Sequence, residues 1–134
     1  MRRPGAPPLK VVVEDASHQA AHMAASLFFW FPRIEPGGIF IMEDIEPNLG
    51  GADGFLRELL PQLVLDVHFC GHPENPEDRA RFPTLWPLLQ SVHCEMHICV
   101  FERNSESAMP HLSRELSTPP KHALDGRAFD PNEA

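Results

Sequence analysis

The sequence has no apolar run long enough to cross a membrane, because Pro32 and Arg33 interrupt the run at residues 27–31. It is also short of basic residues, with 11 Lys and Arg against 19 Asp and Glu and a formal net charge of −8. A nucleic-acid backbone or an anionic membrane would select for a basic surface. The composition therefore argues against either of them as the main partner of this protein.

Cysteine is scarce as well. The three cysteines, Cys70, Cys94 and Cys99, are odd in number and lack CxxC spacing, which predicts buried thiols in a reducing compartment. Residues 1–8 include two arginines but no apolar stretch behind them, so we expect an irregular lead-in instead of a signal peptide. These two absences predict a cytoplasmic protein.

The most informative stretch is 9–48, whose pattern predicts a strand, a helix and a second strand. Residues 10–14 form a β-branched run, which favours a strand buried on both faces. Ser17 can cap the helix that follows. Pro32, and then Pro36 with two glycines, end that helix before a second apolar run at 39–42. The apolar positions of the helix recur on one helical face: Ala20, Ala24, Leu27, Phe28 and Phe31.

Both predicted strands lead into acidic residues, Asp15 after the first and the pair Glu43 and Asp44 after the second. A helix between two short strands implies a right-handed crossover, which makes the strands parallel and brings their carboxyl ends to one edge, where ligands bind. Carboxylates held close together repel unless a cation joins them, and oxygen ligands favour magnesium, manganese or calcium. We therefore expect a metal site, although solvated loop residues or helix caps would give the same pattern.

His18 lies three residues past Asp15. We expect it in the first turn of the helix, where the positive end of the helix dipole favours a neutral imidazole. Beside a metal-bound hydroxyl, a neutral imidazole can act as a general base. His18 is therefore the candidate catalytic residue.

The motifs D-A-S-H at 15–18, P-G-G at 36–38 and I-F-I-M-E-D at 39–44 resemble those of a known family. They are similar to the metal-dependent O-methyltransferases of macrolide sugars and the related cephalosporin hydroxylase group, within the class I S-adenosylmethionine-dependent methyltransferases. The resemblance implies transfer of a methyl group from S-adenosylmethionine to a hydroxyl, for example of a glycoside. It also implies these site residues: Asp15, Glu43 and Asp44 as ligands of magnesium or manganese, and His18 as the base.

The same resemblance shows what the sequence lacks. The family binds its cofactor at a glycine-rich turn after an apolar strand, and this sequence has no such turn, so its cofactor-binding residues are unknown. We therefore expect an α/β fold at 9–104, the C-terminal half of a doubly wound Rossmann-like sheet, that is inactive when isolated. An incomplete gene product, a natural half-domain and a remnant without activity all fit. The competing function is a non-catalytic interaction module that docks onto a partner chain.

The rest of the chain predicts a helix, a hairpin and a tail. Residues 54–66 have helical apolar spacing, with a kink or break at Pro61. Two apolar segments at 88–94 and 97–101, with Glu95 and Met96 between them, predict an antiparallel hairpin like the one that ends the methyltransferase fold. The final 30 residues, 105–134, are polar and proline-rich, which predicts a disordered or loosely held tail.

A second metal hypothesis concerns His68, Cys70 and His72. Imidazole and thiolate are zinc ligands, but no second ligand pair stands at a usual spacing. Residues 71–83 are polar and rich in proline, which predicts a loop.

The first strand raises a further expectation. Val11, Val12 and Val13 suit a central strand, yet the strand that would pair on its far side is missing from the sequence. An exposed β-branched edge is a template for pairing with another chain. We therefore expect self-association, or binding of a partner chain, at residues 10–14.

Overall fold

A computed structural model describes residues 7–47, 51–69 and 80–124. The strands are β1 (Val11–Glu14), β2 (Ile39–Glu43), β3 (Leu89–Glu95) and β4 (Ile98–Arg103). The α-helices are α1 (Ala20–Trp30) and α2 (Leu60–Val67), and shorter helical turns lie at Phe31–Arg33, Phe55–Leu59, Trp86–Leu88 and Lys121–Leu124. The strands form one sheet in the order β1-β2-β4-β3.

The sheet is mixed. β1 and β2 are parallel and joined through α1, whereas β4 is antiparallel to both β2 and β3. The predicted crossover and the terminal hairpin are therefore confirmed, and with them the α/β class. The hairpin turn consists of Met96 and His97, one residue later than expected.

The helix predicted at 54–66 is present, and it is distorted near Pro61. Phe55–Leu59 is a π-helical turn that runs directly into α2, whose second residue is Pro61. Proline has no N–H for the carbonyl four residues before it, so the wider π turn absorbs the break in the hydrogen-bond ladder.

The core lies on one face of the sheet. Alternate residues of β2 and β4 point into it, because side chains alternate along a strand. Those residues are Phe40, Met42, Cys99 and Phe101. α1 packs against the same core with Met23, Ala24, Leu27 and Phe28. The predicted apolar face of the helix is therefore confirmed, with Met23 in addition.

The expectation that β1 is buried on both faces is wrong. Val11 and Val13 are each 52% exposed, whereas Val12 packs against the core and Glu14 is buried. β1 is an edge strand among the described residues, because β2 is its only neighbour in the sheet there. Its β-branched composition indicated a strand correctly but could not show how many neighbours the strand has.

The start of α1 also differs from the prediction. The N-cap is Gln19, which makes no side-chain cap, and the N–H of Ala20 donates to the carbonyl of Gly51 at 3.0 Å. Ser17 lies two residues earlier, where its Oγ forms a 2.7 Å hydrogen bond with Nδ1 of His22. The carbonyl of Gly51, from a distant loop, thus replaces the expected side-chain cap. His18, which precedes Gln19, lies outside the helix.

The expectation of buried free thiols is wrong for two of the three cysteines. Cys94 and Cys99 form a disulfide, with Sγ atoms 2.03 Å apart. They face each other across the β3–β4 pair, because the two-residue turn sets that register. Spacing alone does not reveal such a cross-strand pair, since its formation depends on the turn length.

Residues 105–124 pack against the domain, in contrast to the disordered or loosely held tail expected for 105–134. The guanidinium of Arg33 donates to the carbonyl of Leu112 at 3.1 Å and to Oγ of Ser117 at 3.0 Å. These hydrogen bonds attach the segment around residues 112–117 to Arg33, a contact that the apolar content of the segment does not reveal. The buried residues of this segment are Ser117 and Ala123.

Several predictions concern residues outside the described ranges. They are the first six residues of the lead-in, Cys70 and His72 of the zinc hypothesis, most of the loop at 71–83, and the last ten residues of the tail. Within the described ranges, no helix has the length and apolar character needed to cross a membrane.

Candidate metal centre at one edge of the sheet

The carboxyl ends of β1 and β2 lie side by side, because the strands are parallel with Glu14 opposite Met42. Asp15 directly follows β1, and Asp44 directly follows β2. His18 lies in the loop before α1, with Nε2 3.8 Å from Oδ1 of Asp15 and 3.6 Å from Oδ2 of Asp44. One ligand atom from each of these three side chains falls within 4.8 Å of the other two.

Two of the three residues have a left-handed backbone, with φ 54° at His18 and 52° at Asp44. Positive φ is uncommon outside glycine, and such conformations concentrate at functional sites, where the surrounding structure holds them. After Asp44, the N–H of Ile45 donates to the carbonyl of His97 at 3.0 Å, which fixes this turn against the β3–β4 hairpin. His18 has a left-handed backbone and lies two residues before α1, so the expectation that it lies in the first helical turn is wrong.

The two nitrogens of the His18 ring have different surroundings. Nε2 faces the two carboxylates, whereas Nδ1 is buried and has no hydrogen-bond partner in the described part of the chain. The side chain of His18 is 31% exposed, against 55% for Asp15 and 65% for Asp44. A ligand can therefore reach the cluster from the carboxylate side, where Nε2 lies.

Glu43 does not belong to this cluster among the described residues. It is the last residue of β2, is partly buried and pairs with Ile98 of β4. Side chains alternate along a strand, so Glu43 projects from the sheet face opposite to Met42, which lies in the core. The structure thus brings together Asp15, Asp44 and His18, and leaves the fourth predicted residue apart.

Sequence reasoning missed Glu14. It is 5% exposed, and its Oε1 accepts a 3.3 Å hydrogen bond from the N–H of Ala16. Its Oε2 is buried without a partner within residues 7–47, 51–69 and 80–124. A buried carboxylate oxygen without a partner is costly. Strand alternation could have revealed its burial, because Glu14 lies two residues after Val12 and shares its face.

The cluster suits a hard divalent cation. Carboxylate oxygens are the ligands that magnesium and manganese prefer, and a cation between Asp15 and Asp44 would relieve their mutual repulsion. A protonated His18 could serve the same purpose without any metal, as an ion-pair partner of both carboxylates. The geometry therefore fits two related states, in which the charge between the carboxylates comes from a metal or from the imidazole.

No family model matches the sequence. Curated proteins do. The chain is 30% identical over 126 residues to the 8-demethyl-8-(2-methoxy-alpha-L-rhamnosyl)-tetracenomycin-C 3'-O-methyltransferase of Streptomyces olivaceus. The aligned region covers 81% of this chain and 31% of that protein. It is also 30% identical over 113 residues to the demethylmacrocin O-methyltransferase of Streptomyces fradiae, in an alignment that covers 77% of this chain and 29% of that protein.

The chain is related to the macrolide and sugar O-methyltransferases over part of their length. The resemblance found in the motifs is thereby confirmed. A third relative of this group, the mycinamicin VI 2''-O-methyltransferase of Micromonospora griseorubida, is 29% identical over 116 residues, 77% of this chain and 28% of that protein. The chain thus spans about 30% of the length of these sugar O-methyltransferases.

The fold agrees with this relationship. A solved structure of the MycE methyltransferase from the mycinamycin biosynthetic pathway, in complex with Mg and SAH, matches with a TM-score of 0.54. The match has 21% sequence identity and covers 70% of this chain and 26% of MycE. This likeness confirms the methyltransferase fold over part of the domain.

Proposed function

We propose that this protein takes part in S-adenosylmethionine-dependent O-methyl transfer to the hydroxyl group of a small molecule, with a glycoside as the acceptor class. The observation that carries the proposal is the convergence of Asp15, His18 and Asp44 at the carboxyl edge of the parallel strands. That edge is where α/β sheets bind their ligands. The relationship with sugar O-methyltransferases supports the reaction class.

The proposed ligands of a magnesium or manganese ion are Asp15 and Asp44, together with Glu43 from the sequence pattern. The first two fit a hard cation as they stand, since their carboxylates share one edge and are more than half exposed. Glu43 would have to turn its carboxylate around the end of β2 to join them. When bound, a divalent cation would supply positive charge that lowers the pKa of the acceptor hydroxyl.

His18 is the proposed base. Its Nε2 would take the proton of the acceptor hydroxyl. When bound, S-adenosylmethionine would supply the methyl group, which passes from the sulfonium to the hydroxyl oxygen and leaves a neutral thioether. For Nε2 to accept that proton, the neutral ring must carry its own proton on Nδ1, the buried nitrogen. The loop that buries Nδ1 thus leaves the reactive nitrogen on the open side.

We propose that the 134-residue chain alone shows no methyl transfer. The sequence has no glycine-rich turn after an apolar strand to hold a methyl donor in line with the hydroxyl. The activity of a whole methyltransferase therefore remains a proposal for this chain. A cytoplasmic location also stays a prediction, and the Cys94–Cys99 disulfide removes the cysteine argument for it.

A non-catalytic interaction module is the second candidate. The half-exposed valines on the edge strand β1 favour it, because an open strand edge can pair with another chain. In this alternative, the same α/β unit docks onto a partner and the carboxylates are a solvated loop end.

Two measurements separate these candidates. Calorimetric titration with magnesium should give binding heat if Asp15 and Asp44 hold a cation, as the methyltransferase proposal requires. A flat titration with intact folding favours the interaction module, in which these carboxylates are solvated. The chain should then be fused to the cofactor-binding part of a related sugar O-methyltransferase. If methyl transfer appears, His18→Ala should lower it by roughly two to four orders of magnitude. His111, which is exposed and lies in the C-terminal segment, gives the control, and an equal loss in His111→Ala would contradict the role of His18.

A further inference from the structure

We propose that β1 is a homodimer interface, in which the edge strands of two copies pair in antiparallel orientation with Val12 on the twofold axis. The proposal extends the interaction role of the β1 edge described above and names a second copy of this chain as the partner. It does not depend on metal binding or methyl transfer.

The backbone groups of β1 are divided between its two sides. The N–H of Ile39 donates to the carbonyl of Lys10 at 2.9 Å, and Val11 lies opposite Ile39 in the parallel register. In a parallel ladder, alternate residues direct both backbone groups to the neighbouring strand. Those of Val12 therefore face β2, whereas the N–H and carbonyl groups of Val11 and Val13 face away from the sheet.

An antiparallel partner centred on Val12 satisfies these outward groups. In that register, Val11 of one copy lies opposite Val13 of the other, and each such pair exchanges two N–H to carbonyl hydrogen bonds. The twofold symmetry gives two of these pairs, hence four hydrogen bonds. The surface is self-complementary, as a twofold interface requires.

Charge complementarity favours a second copy over an unrelated strand. The same register places Lys10 of each copy opposite Glu14 of the other, on the face they share with Val12. Glu14 is 5% exposed, and its Oε2 has no hydrogen-bond partner among the residues that the structure describes. The ammonium of Lys10 is exposed and donates to the carbonyl of Pro36 at 3.1 Å, a surface contact that it can exchange for the carboxylate.

The side chains on the other face support the same register. Val11 and Val13 are each 52% exposed in one copy. Dimer formation would bring four such valines together beside Ile39 and Ile41, which are partly buried on the adjoining strand. A strand pair of this length buries less than the roughly 1,600 Å² of a standard interface, so we expect a weak dimer, with a Kd in the micromolar range or above.

Sedimentation equilibrium of the full chain, from about 1 μM to about 1 mM and with EDTA present, tests the proposal. The wild type should follow a monomer–dimer equilibrium. Val13→Pro should remain a monomer, since it removes an outward N–H that the chain's own sheet does not use. Val13→Thr keeps the β-branched shape and the N–H, so it should still dimerise.

Lys10→Glu provides a second variant, on an exposed side chain, in case proline unfolds β1. It puts like charges opposite each other at both ends of the interface and should raise Kd about tenfold. Leu65→Lys, at a 54% exposed position on α2, is the control for non-specific apolar contact and should leave Kd unchanged. A wild type that stays monomeric throughout, or a dimer that persists unchanged in Lys10→Glu, would overturn the proposal. Because EDTA removes divalent cations, neither result depends on the methyltransferase proposal.

Discussion

The backbone N–H of Ile45 donates a 3.0 Å hydrogen bond to the carbonyl oxygen of His97. Ile45 follows Asp44, and His97 lies in the turn of the β3–β4 hairpin. Nδ1 of His97 is also 3.5 Å from a carboxylate oxygen of Glu46. The candidate metal centre is therefore supported from the hairpin, although none of its three side chains belongs to that hairpin.

The Cys94–Cys99 disulfide closes this hairpin two residues from His97. Replacing both cysteines by alanine should lower the free energy of unfolding by about 2 kcal/mol, the scale expected for a short closed loop. Urea denaturation of wild type and variant measures the difference. Cys70→Ser is the control, because Cys70 does not take part in this disulfide. Equal stability of the wild type and the double variant would show that the disulfide does not support the hairpin.

Much of the fold follows from the sequence, because its signals are local. The β-branched run of β1, the apolar face of α1 and the proline and glycines at 36–38 together specify a parallel crossover. That topology alone brings Asp15 and Asp44 to one edge, whatever the details of the loops.

What sequence reasoning missed depends on contacts between distant segments. The carbonyl of Gly51 caps α1, and this contact leaves His18 outside the helix with a left-handed backbone. The register of the hairpin decides that Cys94 meets Cys99. No local propensity contains this information, since each contact forms only after the elements have docked.

Arg103 is the buried cation that holds the end of β4. It is 1% exposed, and burial lowers its pKa. Its guanidinium donates to the carbonyls of Ile34 at 3.1 Å, Leu88 at 3.0 Å and Glu106 at 2.9 Å. Lysine cannot reach three acceptors from one point, so Arg103→Lys leaves buried carbonyls without donors.

We expect Arg103→Lys to cost about 3 kcal/mol or more in the free energy of unfolding. Urea denaturation checks this value. Arg57→Lys is the matched control, because Arg57 is exposed and pairs with Asp53 at 2.6 Å on the surface. Its effect should stay within about 0.5 kcal/mol. A loss of similar size in the two variants would contradict the role given to the Arg103 network.

Asp66 should make stability depend on pH. It is 2% exposed, and desolvation by burial raises its pKa, opposed by hydrogen bonds from the N–H groups of Arg81 at 2.7 Å and Phe82 at 2.8 Å. Between its ordinary and its raised pKa, the folded state binds more protons than the unfolded state. The free energy of unfolding therefore falls as pH rises through that window.

Asp66→Asn removes this titration. The stability of the wild type relative to Asp66→Asn should fall as pH rises above the ordinary pKa of aspartate, then level off once the folded carboxyl is ionised. Urea denaturation from about pH 4 to about pH 7 covers the window. A relative stability that rises with pH would mean that the hydrogen bonds to Asp66 outweigh its burial.

The backbone of His18 can be tested apart from its ring. With φ at 54°, glycine suits this position better than alanine, whose Cβ opposes the left-handed conformation. Both substitutions remove the imidazole, so His18→Gly should be about 1 kcal/mol more stable than His18→Ala. Thermal unfolding of the two variants measures the difference. A more stable alanine variant would show that this loop has an ordinary backbone.

Manganese binding followed by electron paramagnetic resonance tests the central claim most directly, because free and bound Mn²⁺ give different signals and no catalysis is needed. The wild type should bind Mn²⁺, Asp15→Asn combined with Asp44→Asn should weaken binding at least about tenfold, and Asp53→Asn should bind like the wild type. Glu43→Gln, measured in the same series, shows whether Glu43 joins the site. A wild type that does not bind Mn²⁺, or a double variant that binds it as tightly as the wild type, would contradict a metal centre at Asp15 and Asp44.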